Sequence, residues 1–288
     1  MSLLQIVLLA IVQGMAELLP VSSSAHVVVA EKLMGLDPSS PPMTLLLVML
    51  HTGTMFAVIV YFWRQWRSAY FGSMAAFRSA AVNVLAATAI TGVIGEAIIK
   101  ILEKTAFRGV QGAQIEDLFS HLEIIAPALA AAGVLILIAG IFSRRKPSAS
   151  AAPGSLDVRQ AGLIGAVQGL CLPFRGFSRS GATISVGMLA GASKSAAETF
   201  SFALAVVLTP AVVVREAMRL IRMQPTSGTG SVLSAFAPSL LGAALAFLAG
   251  LLALKWLSRW LESGRWYLFG IYCLAAAVVV FALYRFGY

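Results

Sequence analysis

The strongest constraint on this chain is how its apolar residues are grouped. Six stretches, 43–63, 82–102, 123–142, 197–217, 236–257 and 266–284, are apolar almost throughout. Each has about the twenty residues that an α-helix needs to cross a bilayer. Two further regions, 3–34 and 158–192, are apolar but broken. Pro20-Val21-Ser22-Ser23-Ser24 interrupts the first, and Pro173-Phe174-Arg175-Gly176-Phe177-Ser178-Arg179-Ser180-Gly181 the second. The arms after the breaks, 24–34 and 182–192, are too short to cross. A helix, a polar loop and a short helix returning to its own side fits both regions. Irregular backbone at membrane depth is tolerated only where protein or a water-filled cavity surrounds it.

Composition supports a lipid environment. The chain is 59% hydrophobic and 11% charged, where a soluble domain averages roughly 25% charged. Such a chain cannot cover its surface with polar groups, which excludes disorder, a coiled coil and an ordinary soluble enzyme. The net charge of +9 sits mainly between apolar runs. It reads as membrane-flanking anchors, and no nucleic-acid partner is expected. Cys171 and Cys273 lie inside apolar stretches and make neither a metal spacing nor a disulfide framework. Met1 to Ala10 carries no Lys or Arg, so a cleavable signal is not expected and the chain reads as mature.

The two broken regions are related. Val12-Gln13-Gly14 opens the first and Val167-Gln168-Gly169 the second, and a Pro and a serine-rich stretch follow each. The glutamines are offset by 155, and the spans beginning at 43 and 197, and at 82 and 236, by 154. The last pair, 123 and 266, is offset by 143. This predicts two repeats, 1–142 and 156–288, joined by a Ser-, Ala- and Pro-rich linker at 143–155. Three crossings per repeat invert the second relative to the first, a plan in which broken helices meet near the midplane and form the site. The expected fold is an all-α polytopic membrane protein with six transmembrane helices and two re-entrant helical hairpins, in two inverted-topology repeats. Reading the hairpins as full crossings is the alternative. Arg64, Arg67, Arg78, Arg144, Arg145, Lys146, Arg159, Lys194, Lys255, Arg259 and Arg265 fall on one side, so the positive-inside rule puts both termini outside.

Polar groups at membrane depth cost about 2.5–3.5 kcal/mol each on insertion scales and need a reason to be there. Gln13, Glu17, Ser22, Ser23, Ser24 and His26 form one cluster. Gln13 and Glu17 are four apart and share a helix face. Pro20 ends that helix, and the serines can cap the next, with His26 in its first turn. Arg175, Ser178, Arg179, Ser180 and Thr183 form the second cluster. Two guanidiniums, three hydroxyls and a helix N-terminus make a phosphate cradle. The first cluster supplies acid, base and nucleophile candidates. Glu17 and Gln13 also suit Mg²⁺ or Ca²⁺, which bridge carboxylates and phosphates. Phosphoryl transfer on a lipid phosphate is the reaction class this suggests. His26 is favoured as the group taking part directly, by attack or as a proton relay for Ser22, Ser23 or water. Ser22, Ser23 and Ser178 are the better substrate contacts, while Ser24 and Ser180 suit capping. A transporter or flippase of lipid phosphates is the alternative.

Other polar residues have blander readings. His51 and His121 flank spans and fit interfaces. Glu96 and Lys100 read as a local pair, and Glu198 as a cap or pair. Trp63, Trp66, Trp256, Trp260 and Trp266 fit an aromatic belt. Gly187 and Gly191 fit close helix packing.

The segments Gln13-Gly14-Met15-Ala16-Glu17-Leu18-Leu19-Pro20-Val21-Ser22-Ser23-Ser24-Ala25-His26 and Gly176-Phe177-Ser178-Arg179-Ser180-Gly181-Ala182-Thr183-Ile184 resemble the undecaprenyl-diphosphate phosphatase, or bacitracin-resistance, family. Length, span count and spacing fit over essentially the whole chain. The resemblance implies hydrolysis of undecaprenyl diphosphate to the monophosphate carrier of peptidoglycan synthesis. It implies a bacterial inner-membrane enzyme with its site facing the periplasm, dependent on a divalent cation, with membrane lipids around it; a homodimer is left open. It places the family's first motif on Gln13 and Glu17, its essential His on His26 and its essential Arg on Arg179. Ala25 stands where the family usually has Gly, and Arg175 where it usually has Pro, which leaves the role of Arg175 open.

Overall fold

The computed structural model describes residues 1–37, 40–106, 121–145, 156–222 and 230–287. Within them lie ten α-helices: α1 Leu3–Leu18, α2 Ser23–Leu33, α3 Pro41–Tyr70, α4 Met74–Ala106, α5 Leu122–Arg145, α6 Val158–Cys171, α7 Arg179–Leu189, α8 Lys194–Arg222, α9 Gly230–Glu262 and α10 Tyr267–Arg285. Five segments are long and apolar enough to cross a membrane: Pro42–Tyr70, Met74–Thr105, Leu122–Ser143, Phe236–Glu262 and Tyr267–Arg285. The sixth expected stretch, 197–217, falls inside α8. The expected linker lies outside the described residues from 146 onward.

Both broken regions fold as helix, loop and short helix, and they start alike. Ser2 caps α1 and Asp157 caps α6, each closing a capping box with a glutamine three residues on, Gln5 and Gln160. The caps repeat at the same 155-residue offset as Gln13 and Gln168. The short arms α2 and α7 have 11 residues each. Each is therefore about 16 Å long, half the roughly 30 Å of a hydrocarbon core.

The long helices surround these hairpins. α1 packs on α9, and α6 on α4. α10 lies along α5, and α3 contacts α8 and α9. The repeated Val-Gln-Gly explains the first two contacts. A Cβ on Gly14 would stand 2.7 Å from the Ala246 carbonyl oxygen of α9, and one on Gly169 would stand 2.9 Å from that of Thr91 of α4. Gly14→Ala should therefore cost about 1–3 kcal/mol by overpacking. It should appear as a lower thermal-unfolding midpoint in detergent, and an unchanged midpoint would mean that α1 and α9 do not approach so closely.

The outer faces suit lipid. Leu85, Val93, Leu252 and Val278 are 69–71% exposed. Two tryptophans depart from the belt reading. Trp66 and Trp266 are buried, because their indole N–H groups find partners inside, the Thr199 carbonyl and the Ser185 hydroxyl. Trp63 and Trp256 are exposed, as a belt requires. Gly187 is a packing glycine, set against Ala197 and Ile164, but Gly191 is not. With φ of +89° and open space around it, Gly191 makes the turn between α7 and α8.

Candidate active site

The two loops meet at Glu17, in the last turn of α1. Arg179, the first residue of α7, donates from Nη2 to Glu17 Oε1 at 2.7 Å. Ser23, the first residue of α2, donates from Oγ to Glu17 Oε2 at 2.6 Å. Gln13 Nε2, one turn back on α1, donates to the same oxygen at 3.2 Å. One carboxylate thus gathers an amide, a hydroxyl and a guanidinium from three helices. Glu17 and Arg179 retain 16% and 24% exposure of their side chains, so the pair is accessible from one side. Arg179 Nη1 is buried and has no hydrogen-bond partner among the described residues. A guanidinium with one nitrogen on a carboxylate and the other unspent is set to take a second anion.

Two further bonds hold the loops together. Ser180 donates to the Leu19 carbonyl at 3.2 Å, and the Gly176 amide donates to Ser24 Oγ at 3.3 Å. Gly176 has φ of +101°, and a Cβ there would press on the Ile125 carbonyl, so the loop needs glycine at this point. Ser22 also has a positive φ, of 68°, which costs a non-glycine residue of order 1–3 kcal/mol. It stands at the N-cap of α2 without making a cap hydrogen bond, and its hydroxyl meets that of Ser24 at 3.2 Å.

His26 lies one turn into α2. Its Nδ1 is 2.8 Å from the Ser22 carbonyl oxygen. A carbonyl only accepts, so Nδ1 carries the proton and the neutral ring keeps its lone pair on Nε2. That nitrogen is 2.7 Å from the Tyr272 hydroxyl of α10.

The predicted phosphate-cradle residues divide. Arg179 faces the shared site. Ser178 caps α7 by accepting from the Gly181 amide, and is buried. Thr183 is buried and donates to the Arg179 carbonyl, beside the Ser201 hydroxyl. Ser180 is bound to Leu19, as above. These three hydroxyls build the α7 N-terminus rather than lining open space. Arg175 is half-buried, and its charge acts on Glu31 of α2. Glu31 is 1% exposed and its Oε1 accepts nothing among the described residues.

Sequence reasoning missed three of these neighbours. His51 was expected at an interface, but its Nε2 stands 3.9 Å from Glu17 Oε2 while Nδ1 bonds the Leu47 carbonyl. Tyr272 and Glu31 carried no local signal, since each meets its partner only through packing. The blander readings of Glu96 with Lys100 and of Glu198 match their contacts: an exposed ion pair at 3.2 Å, and a bond from Ser258 at 2.7 Å. A cavity of about 500 Å³ lies elsewhere on α3, lined by Tyr61, Arg64, Gln65, Ser68, Ser195 and Thr199 among others. Arg64 is thirteen residues from His51, which is about 20 Å along a helix.

A family model described as Bacitracin resistance protein BacA matches residues 6–279, nearly the whole chain. The chain belongs to the bacitracin-resistance BacA family. Undecaprenyl-diphosphatase 2 of Acinetobacter baylyi is 57% identical over 286 residues, covering 98% of each chain. Undecaprenyl-diphosphatase 2 of Burkholderia orbicola is 33% identical, covering 96% of this chain and 95% of its own. Undecaprenyl-diphosphatase of Acidiphilium cryptum is 32% identical, covering 98% of each. Family membership and the apolar helices make the chain a multi-pass membrane protein. In this BacA-family chain both signature segments converge on Glu17.

Proposed function

We infer that this protein is an integral membrane phosphatase that hydrolyses undecaprenyl diphosphate to undecaprenyl phosphate and inorganic phosphate. That reaction recycles the lipid carrier for peptidoglycan synthesis and confers bacitracin resistance. The observation that carries the reading at the site is the buried, unspent Nη1 of Arg179 beside a carboxylate that holds a serine hydroxyl.

The diphosphate takes the free nitrogen of Arg179 and draws the guanidinium from Glu17. Glu17 keeps the Ser23 hydroxyl that it already holds on its other oxygen. Ser23, whose hydroxyl already donates to Glu17, has its base in contact. This geometry supports Ser23 as the nucleophile. Its proton passes to Glu17 and its Oγ bonds to the terminal phosphorus. The bridging P–O bond breaks and the lipid monophosphate leaves. Water then releases phosphate from the serine. His26, whose lone pair lies on Nε2, takes the proton of the attacking water, and Glu17 returns its proton to the Ser23 oxygen as that P–O bond breaks.

A divalent cation fits only as a companion of the substrate. Among the described residues no group of three or more His, Cys, Asp or Glu could hold one. Both oxygens of Glu17 already accept hydrogen bonds. Mg²⁺ or Ca²⁺ drawing most of its ligands from phosphates needs one or two carboxylates. Glu17, with the Gln13 amide oxygen, would supply the protein's share, and the ion would offset phosphate charge.

Two inverted repeats, each a re-entrant hairpin and three spans, remain the proposed plan. The capping boxes repeated at one offset and the exchange of partners between α1 with α9 and α6 with α4 support it. The proposed location is the bacterial inner membrane, with the site facing the periplasm. The carboxylate with its attached hydroxyl favours an enzyme over a flippase, since carrying an anion needs no base.

Purified protein in detergent should release phosphate from undecaprenyl diphosphate. Release should stop on chelation and return with Mg²⁺ or Ca²⁺. Bound lipid without release would favour the flippase, and full release in chelator would remove the cation.

A further inference from the structure

The imidazole of His26 has one lone pair, and Tyr272 covers it. Nδ1 is committed to the Ser22 carbonyl at 2.8 Å, so the phenol at 2.7 Å must donate to Nε2. The rings also lie nearly parallel, with centroids 5.7 Å apart and planes 12° from one another. Two contacts therefore fix the ring, one from its own helix and one from α10, 246 residues away. Tyr272 is 47% exposed, unlike a tyrosine held by burial, and it lies in the first two turns of α10. α10 is long and apolar enough to cross a membrane, so its exposed surface suits lipid, and the phenol finds its partner in the site, at Nε2.

We propose that Tyr272 is a positioning residue for His26, aligning the imidazole and occupying its Nε2 until a substrate phosphate oxygen replaces the nitrogen as partner of the phenol. The exchange makes and breaks only hydrogen bonds. The phenol releases Nε2 and donates to a phosphate oxygen, and the lone pair becomes free for the proton that His26 carries. Aligned and covered at rest, the ring is exposed only when phosphate is present. This proposal rests on the phosphatase reading for its kinetic half and on the geometry alone for its resting half.

Tyr272→Phe tests both halves. It keeps the stacked, exposed ring and removes only the hydroxyl. The chain has three histidines, His26, His51 and His121, so diethyl pyrocarbonate modification can be followed at each by mass spectrometry. His26 should react about fivefold faster in the variant, the loss of one ordinary hydrogen bond, while His51 and His121 keep their rates. With undecaprenyl diphosphate, kcat should fall about tenfold through lost alignment, with KM changed less than about twofold. Unchanged labelling at His26 would overturn the covering of Nε2. Faster labelling with unchanged kcat would overturn the positioning role. Labelling needs no turnover. Faster labelling in a protein whose wild type releases no phosphate would overturn the phosphatase reading and uphold the covered lone pair.

Discussion

Replacing Arg179 with alanine should lower kcat/KM for undecaprenyl diphosphate by about 10³-fold or more, the scale for a charge-stabilising arginine in phosphoryl transfer. The guanidinium has two tasks. Nη2 pairs with Glu17, and the buried Nη1, without a partner among the described residues, is the donor proposed for phosphate. Removing it therefore also strands a partly buried carboxylate. Truncating one partner of a fully buried pair costs 3–5 kcal/mol, and exposure here reduces that figure. Pairing Arg179→Ala with Glu17→Gln separates the effects. The double variant should regain stability, because the stranded charge is gone, and should stay inactive. Arg179→Lys should also fail, by about 10²-fold, because a single ammonium cannot serve a carboxylate and a phosphate as a planar fork does. Activity in Arg179→Lys near the wild-type level would refute the shared role.

His26→Asn should lower kcat by about 10²–10⁴-fold, the range for a positioned proton carrier. Asparagine can still donate to the Ser22 carbonyl through its amide, so α2 should keep its first turn. It has no basic lone pair to stand where Nε2 does. A thermal-unfolding midpoint close to wild type would assign the loss to chemistry rather than to folding. Ser23→Ala measured beside it bears on the nucleophile. A stable phosphorylated intermediate trapped on Ser23 would support attack by the serine that touches Glu17. One trapped on His26 would restore the role that sequence reasoning favoured.

Much of the site was legible because its residues are polar where the chain is apolar. Gln13 and Glu17 share a face by helical spacing alone, and the four-residue interval became a hydrogen bond at 3.2 Å. Arg179 stood out as a guanidinium between two serines in an apolar region. What the sequence left open was direction. Ser178, Ser180 and Thr183 match a phosphate cradle by type, but a hydroxyl near a helix start satisfies backbone as readily as ligand, and here all three bond within the protein. Ser22, Ser23 and Ser24 are equivalent in the sequence, yet only Ser23 donates to Glu17. His51 was read as an interface residue although it lies within the 43–63 stretch, and only packing brings it near Glu17.

The sequence by itself determined the helices, their breaks and a capping pattern that recurs at one offset. Each follows from a local cause: apolar length, a Pro that ends a helix, and a cap and a glycine repeated at one offset. It also determined which residues carry charge where charge is costly. The tertiary structure alone decided their partners. Glu17 and Arg179 are 162 residues apart, and His26 and Tyr272 are 246 apart. No periodicity encodes such pairs. They arise when glycines let α1 seat on α9 and α6 on α4, and the carboxylate of Glu17 then pairs with a guanidinium that packing brings within reach.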